Sequence, residues 1–184
     1  MRVFVAIDVH ENEIIDRLRQ AQESLRRTGA DLKLVEPQNL HFTMKFLGEI
    51  PDDAVKTVES RLSSIPQQTF AVGYHGLGVF PSMSRVSVVW VGAHRESAEK
   101  LNRLASEVER ALRGISAADS GRFQPHVTIA RVRSGRLKAK LLEEVSGKAD
   151  ALFGEEMVGP LKLKKSELTS LGPIYTDLAV FRFD

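Results

Sequence analysis

The frame His-x-Thr occurs twice, in "NLHFTMKFLGEI" from Asn39 and in "QPHVTIARVR" from Gln124, in a chain with only five histidines. Each copy sits in an apolar stretch that reads as an extended strand. In a strand, residues i and i+2 share a face. His41 and Thr43 therefore project together, with Lys45 next in line, while Phe42, Met44 and Phe46 point the other way, toward a core. In the second copy His126 and Thr128 share one face, and Val127 and Ile129 share the buried one. A slip of one residue would bury the imidazole, so the apolar face fixes the register. The two histidines are 85 residues apart, close to half of the 184-residue chain. That spacing predicts two similar lobes facing each other.

The pattern around the motifs alternates strands with helices. Val3, Val5, Ile7 and Val9 form one apolar face of a strand over 2–9, and Ile14, Ile15, Leu18, Ala21 and Leu25 recur at helical spacing over 11–28. Extended segments follow through 32–37 and 40–48, then a helix over 51–65, Gly-rich strands over 69–80 and a strand over 85–93. A helix over 95–115, the second motif strand and a short helix over 137–147 lead to a hairpin over 156–183, with its turn at Gly172-Pro173. The hairpin signals predict an α+β fold with mostly antiparallel sheets rather than a doubly wound one. Without a linker or low-complexity tract, residues 1–184 read as a single bilobal domain with one motif per lobe.

Composition narrows the function. There is no cysteine, so disulfide frameworks and thiolate metal sites are excluded, in agreement with a reducing, cytoplasmic setting. The opening "MRVFVAIDVHENEI" is interrupted by Asp8 and reads as neither a signal peptide nor a membrane span. A net charge of +2 is too small for a general nucleic-acid coating protein, but "RVRSGRLKAK" at 131–140 carries five basic residues and no acidic ones, a pattern that attracts phosphate or simply solvates a turn.

Two imidazoles suit paired acid and base work, because one can be neutral while the other is protonated near neutral pH. Two hydroxyls and nearby cations suit phosphate oxygens. Cleavage of a phosphodiester uses all of these together: one histidine takes a proton from water, the other gives one to the leaving oxygen, and hydrogen bonds carry the charge between. Neither motif contains an acid, and there is no His-x-His pair, so a metal site is disfavoured. A Gly-x-Ser-x-Gly elbow and a phosphate-cradling Gly-x4-Gly-Lys loop are both absent.

These residues resemble the two-histidine (2H) phosphoesterases. The segments "NLHFTMKFLGE", "PHVTIARVR", "RVFVAIDV" and "SELTSLGPIYTDLAVFRF" are similar to the branch of RNA 2′,3′-cyclic phosphodiesterases, also described as 2′-5′ RNA ligase-like. The resemblance runs over nearly the whole chain. It implies two mostly antiparallel sheets related by a pseudo-twofold axis around a central cleft, with helices outside. It implies hydrolysis of terminal 2′,3′-cyclic phosphates to 2′-phosphates without metal or cofactor, and the reverse joining of RNA ends. It also implies His41 as proton donor, His126 as proton acceptor, and Thr43 and Thr128 on the phosphate. The near-identity of the two motifs leaves the acid and base roles unassigned by the residues themselves. The family pattern adds Arg131 as a phosphate contact, although odd spacing sends it to the strand face opposite His126 unless a bulge or strand end intervenes. The implied partners are cyclic-phosphate-ended RNA or cyclic nucleotides, with no membrane, and the default assembly is a monomer. Alternatives are another small cyclic phosphate, such as ADP-ribose 1″,2″-cyclic phosphate, and a non-catalytic RNA-binding module.

Other residues have plainer readings. His10 and His94 precede helices and read as surface or capping groups, His75 as structural and Trp90 as core. Arg133, Arg136, Lys138 and Lys140 read either as a guide for RNA or as a solvated segment.

Overall fold

The computed structural model describes residues 1–66, 68–115 and 122–183. The chain runs β1 (Arg2–Asp8), α1 (Asn12–Arg27), β2 (Leu32–Leu34), a 3-10 turn (Pro37–Asn39), β3 (His41–Glu49), α2 (Ala54–Ser63), β4 (Ala71–Pro81), β5 (Val86–Ala93), α3 (Arg95–Ala111), β6 (Val127–Val132), α4 (Lys138–Gly147), β7 (Leu152–Met157), β8 (Leu161–Thr169) and β9 (Gly172–Phe181). No helix among these residues is long and apolar enough to cross a membrane.

All strand pairs are antiparallel, in the order β7-β4-β5-β6-β3-β1-β8-β9, with β2 on the free side of β6. The two expected sheets are the two halves of this order. They meet at a seam between the motif strands, where β3 and β6 pair only at Phe42 and Val127. Beyond that point the two strands diverge, and the divergence opens a cleft at the middle of the molecule.

Each lobe repeats one path. β1 leads through α1 to its partner β3, then α2; β5 leads through α3 to its partner β6, then α4. Each connecting helix packs on the other lobe: α1 lies against β7 and α4, and α3 against β3 and α2. The lobes are therefore interlocked by their helices as well as by the narrow seam. Leu18 and Leu25 of α1 and Leu101 and Val108 of α3 are fully buried in one continuous core with Val5, Leu62, Val91 and Ile129. The apolar stripes read from the sequence supply that core.

Three local readings change. The last hairpin turns at Ser170-Leu171, where the Thr169 hydroxyl accepts the Leu171 and Gly172 N–H groups. Pro173 lies within β9 and pairs with Leu168; β9 ends the sheet order, where a missing N–H costs no ladder bond. The acid-rich β7 is not legible as a strand, because its edge position leaves Leu152, Glu155 and Met157 exposed. Phe4 and Ala6, on the second face of β1, are as buried as its valines, because β1 lies inside its lobe between β3 and β8.

Trp90 lies flat across β4, over Gly78: a Cβ on Gly78 would stand 2.2 Å from the indole. Gly78→Ala must push the ring out of place, a kind of overpacking that costs about 1–3 kcal/mol. We expect a urea midpoint lowered accordingly, while Gly135→Ala, whose Cβ meets nothing within 4 Å, leaves it unchanged.

Candidate active site

Both motif strands carry one extra residue just after the motif threonine. On β3, Val5 pairs with Lys45 but the next residue, Ala6, pairs with Thr43, so Met44 is bulged. On β6, Val89 pairs with Ala130 and Trp90 with Thr128, so Ile129 is bulged. A bulge resets the alternation of side chains. The burial patterns match: Met44 and Lys45 are buried and Phe46 exposed, as Ile129 and Ala130 are buried and Arg131 exposed. The fifth residue after each histidine thus returns to the face of the histidine.

This resolves the spacing of Arg131, which lines the cleft together with His41, Thr43, His126 and Thr128. It also reverses two expectations. Lys45 does not share the face of His41; it is buried on the other side, 2.5 Å from a Glu109 carboxylate oxygen of α3. Phe46 leaves the core side and lines the cleft, with the Arg2 guanidinium 5.0 Å above its ring centre.

The cleft has a volume of about 480 Å³. In each motif the imidazole is anchored by the backbone just before it. His41 Nδ1 lies 2.7 Å from the Asn39 carbonyl, and His126 Nδ1 lies 2.7 Å from the Gln124 carbonyl. A carbonyl only accepts, so each Nδ1 carries the proton and, in the neutral ring, each Nε2 is left as an acceptor. The Nε2 of His41 is 3.0 Å from the Thr43 hydroxyl.

Aromatic rings hold both imidazoles. Phe4 and Tyr175 flank His41 at centroid distances of 5.2 and 5.5 Å, and Phe80 meets His126 edge-on at 4.8 Å with Trp90 behind at 6.3 Å. Trp90 is accordingly a wall of the second histidine rather than plain core. Phe4, Tyr175 and Phe80 escape sequence reasoning: they come from strands remote in sequence, and a lone aromatic in a strand carries no signal of its neighbours.

Burial depresses the pKa of both histidines, because it disfavours the charged imidazolium. The carbonyl bonds push the other way in each case. On His41, Asp8 also favours the proton, while Lys164 and His126 oppose it. Asp8 is the cross-strand partner of His41 and belongs to a ring of charges: its carboxylate lies 2.9 and 3.0 Å from Lys162 and Lys164, which both also bind Asp177.

The remaining candidates lie elsewhere. Among the residues of the 131–140 run, only Arg131 lines the cleft; Lys138 donates to the Ser84 carbonyl at 2.8 Å, tying α4 to the β4–β5 hairpin. The His75 ring lies tilted against that of His94, with centroids 4.9 Å apart, and His10 stands beside the buried Glu156 carboxylate, which accepts the Glu11 N–H at the start of α1.

Two lobes of like topology, each presenting His-x-Thr to one cleft, define the two-histidine phosphoesterase class. A family model described as LigT-like phosphoesterase matches residues 7–90 and again 91–175, one copy for each half of the chain. The chain belongs to the LigT-like phosphoesterase family. It is 41% identical over 175 residues to the RNA 2′,3′-cyclic phosphodiesterase of Aquifex aeolicus, covering 92% of this chain and 89% of that one. It is 36% identical over 181 residues to the protein of the same name from Archaeoglobus fulgidus, covering 98% and 99%. Among solved structures, TT0787 of Thermus thermophilus superposes with a TM-score of 0.80 at 30% identity, covering 100% of this chain and 98% of that one. Escherichia coli LigT complexed with 3′-AMP shares the fold, with a TM-score of 0.80 at 23% identity and coverage of 99% and 97%.

The depressed histidines give a direct expectation. In the free protein, NMR titration should find both imidazole midpoints below about 6.5, the ordinary value. Tyr175→Ala and Phe80→Ala, which open His41 and His126 to water, should each raise the midpoint of the histidine they uncover. The linked stability is fully present above pH ~6.5 and is lost as pH falls below it, because the unfolded chain then binds protons first.

Proposed function

We propose that this protein hydrolyses terminal 2′,3′-cyclic phosphates of RNA to 2′-phosphates, as a 3′-phosphodiesterase working by acid–base catalysis from two histidines. The observation that carries the reading is the convergence of His41, Thr43, His126, Thr128 and Arg131 on one cleft, with both Nε2 atoms freed by carbonyl bonds at Nδ1. The naming of the Aquifex and Archaeoglobus relatives supports the substrate class. That E. coli LigT, of the same fold, is found complexed with 3′-AMP supports a nucleotide as the kind of ligand.

In this scheme neutral His126 takes a proton from water through Nε2 as the water attacks phosphorus. Charge gathers on the equatorial oxygens, where the Thr43 and Thr128 hydroxyls and the Arg131 guanidinium hold it. His41, protonated at Nε2, passes its proton to the departing 3′ oxygen. Asp8 supports this division of labour, since it favours the charged form of His41, and among the described residues no carboxylate acts in the same way on His126. Bound phosphate adds negative charge beside both rings and raises their pKa values. The donor set of two imidazoles, two hydroxyls and a guanidinium supports catalysis without metal or cofactor. The whole chain acts as one bilobal domain, a cytoplasmic monomer in which a single chain supplies both motifs. The reverse joining of a cyclic-phosphate end to a 5′-hydroxyl uses the same groups.

The test is incubation with cyclic nucleotides and a cyclic-phosphate-ended oligonucleotide in EDTA, with the product identified. Undiminished formation of 2′-phosphate is expected; loss of activity in EDTA, or a 3′-phosphate product, contradicts the scheme. ADP-ribose 1″,2″-cyclic phosphate in parallel reads the rival substrate. His41→Ala and His126→Ala should each lose about 10²–10⁴ in rate while remaining folded. Thr43→Val, Thr128→Val and Arg131→Gln each remove a bond to a charged group worth roughly 1.5–3 kcal/mol, so about one to two orders of magnitude in kcat/KM are expected. The kcat/KM profile should be a bell with its free-protein limbs on the acid side, and the kcat profile should lie at higher pH because the bound phosphate favours the imidazolium.

A further inference from the structure

A second groove, of about 770 Å³, opens on the same reacting position from the other side. It shares Thr43, Phe46 and His126 with the first cleft, while His41 lines only the first. The two differ in chemistry. The first has Arg2, Lys33 and Arg131 at its walls but is also faced by Phe4, Tyr175, Leu168 and Pro173, and suits a nucleoside beside its phosphate. The second runs along the end of α3 past Arg110, Arg113, Arg122 and Phe123. All three arginines are exposed. Among the described residues its one lining carboxylate is Glu109, and Lys45, which lines the groove beside it, already bonds that group. Cations at a helix C-terminus also complement its dipole, which accounts for Arg110 and Arg113. It does not account for Arg122, which reaches the groove from the approach to β6.

We propose that this second groove is a track for the phosphodiester backbone of an RNA strand, with Arg110, Arg113 and Arg122 on successive phosphates and Phe123 as a stacking face. The proposal rests on the hydrolytic reading only for what occupies the junction. A groove lined by arginines meeting one lined by aromatic rings at the two motifs matches a polyanion whose end carries a base. It also relocates the RNA contacts from the 133–140 segment, whose side chains line neither groove among the described residues. Two strands fit this chemistry: the body of the cyclic-phosphate-ended RNA itself, or a second strand whose 5′-hydroxyl enters on the His126 side.

The experiment compares wild type with the triple variant Arg110→Gln, Arg113→Gln, Arg122→Gln, and with the three Arg→Lys changes as a charge-keeping control. Fluorescence anisotropy of a labelled oligoribonucleotide ending in a 2′-phosphate is read against salt. Single-strand binding loses about 0.7 of logarithmic slope per phosphate contact removed, so about two units should vanish from the glutamine variant, with a loss of at least about tenfold in affinity. The lysine variant should keep most of both. Hydrolysis of a cyclic mononucleotide, too short to enter the groove, should stay within about twofold on the same reasoning. A raised KM for the cyclic-phosphate-ended oligonucleotide assigns the groove to the substrate's own body. Unchanged hydrolysis, with lost binding of a 5′-hydroxyl oligonucleotide, assigns it to a second strand. Unaltered affinity and slope for both oligonucleotides overturns the proposal, as does a mononucleotide rate that falls in step with the oligonucleotide. If wild type cleaves no cyclic phosphate, the hydrolytic reading fails, and the anisotropy of the glutamine variant alone upholds or overturns the groove.

Discussion

One extra residue in each motif strand governs the rest of the site. Without the bulges at Met44 and Ile129, strict alternation would bury Arg131 and turn Lys45 into the cleft. With them, each strand offers the cleft a histidine, a threonine and the residue five places after the histidine. The bulges also strengthen local twist. The motif strands are ladder-paired at one position, Phe42 and Val127, and then separate, which leaves room for a ligand between the two walls.

The repeat is close in backbone and loose in side chains. Equivalent bulged positions lead to Phe46 in one lobe and Arg131 in the other, so one wall is apolar and stacks Arg2 while the other is cationic. The cross-strand partner of Thr43 is Ala6, and that of Thr128 is Trp90. His41 stands beside the Asp8–Lys162–Lys164–Asp177 ring, whereas His126 rests on Phe80 and Trp90. Two nearly identical motifs thereby meet different surroundings, one charged and one aromatic. The exchange of α1 and α3 between lobes keeps these differences in fixed relation, because neither half can shift without disturbing the helix it borrows.

Much of this is legible in the chain. Apolar periodicity locates the four helices and the motif strands, and the duplicated frame carries the two lobes, the cleft and the phosphoesterase resemblance. The departures share a cause. Lys45, Phe46 and the hairpin turn defy the alternation rule because a bulge, or a proline tolerated on an edge strand, breaks local alternation without a local mark. The 131–140 run is ambiguous because charge density along a chain does not say which residues face a groove: Arg131 enters it and Lys138 instead ties a hairpin.

By itself the sequence determined which groups are available and how they are spaced: two His-x-Thr frames half a chain apart, each backed by an apolar face that forbids slippage, and no cysteine. Those follow from the period of two in a strand and from the cost of burying an imidazole. Only the tertiary structure decided what surrounds those groups. The Phe4 and Tyr175 rings, the Phe80 edge and the Asp8 carboxylate reach the motifs from remote segments. Their effect depends on distance and burial, quantities that a chain acquires only when its strands have paired.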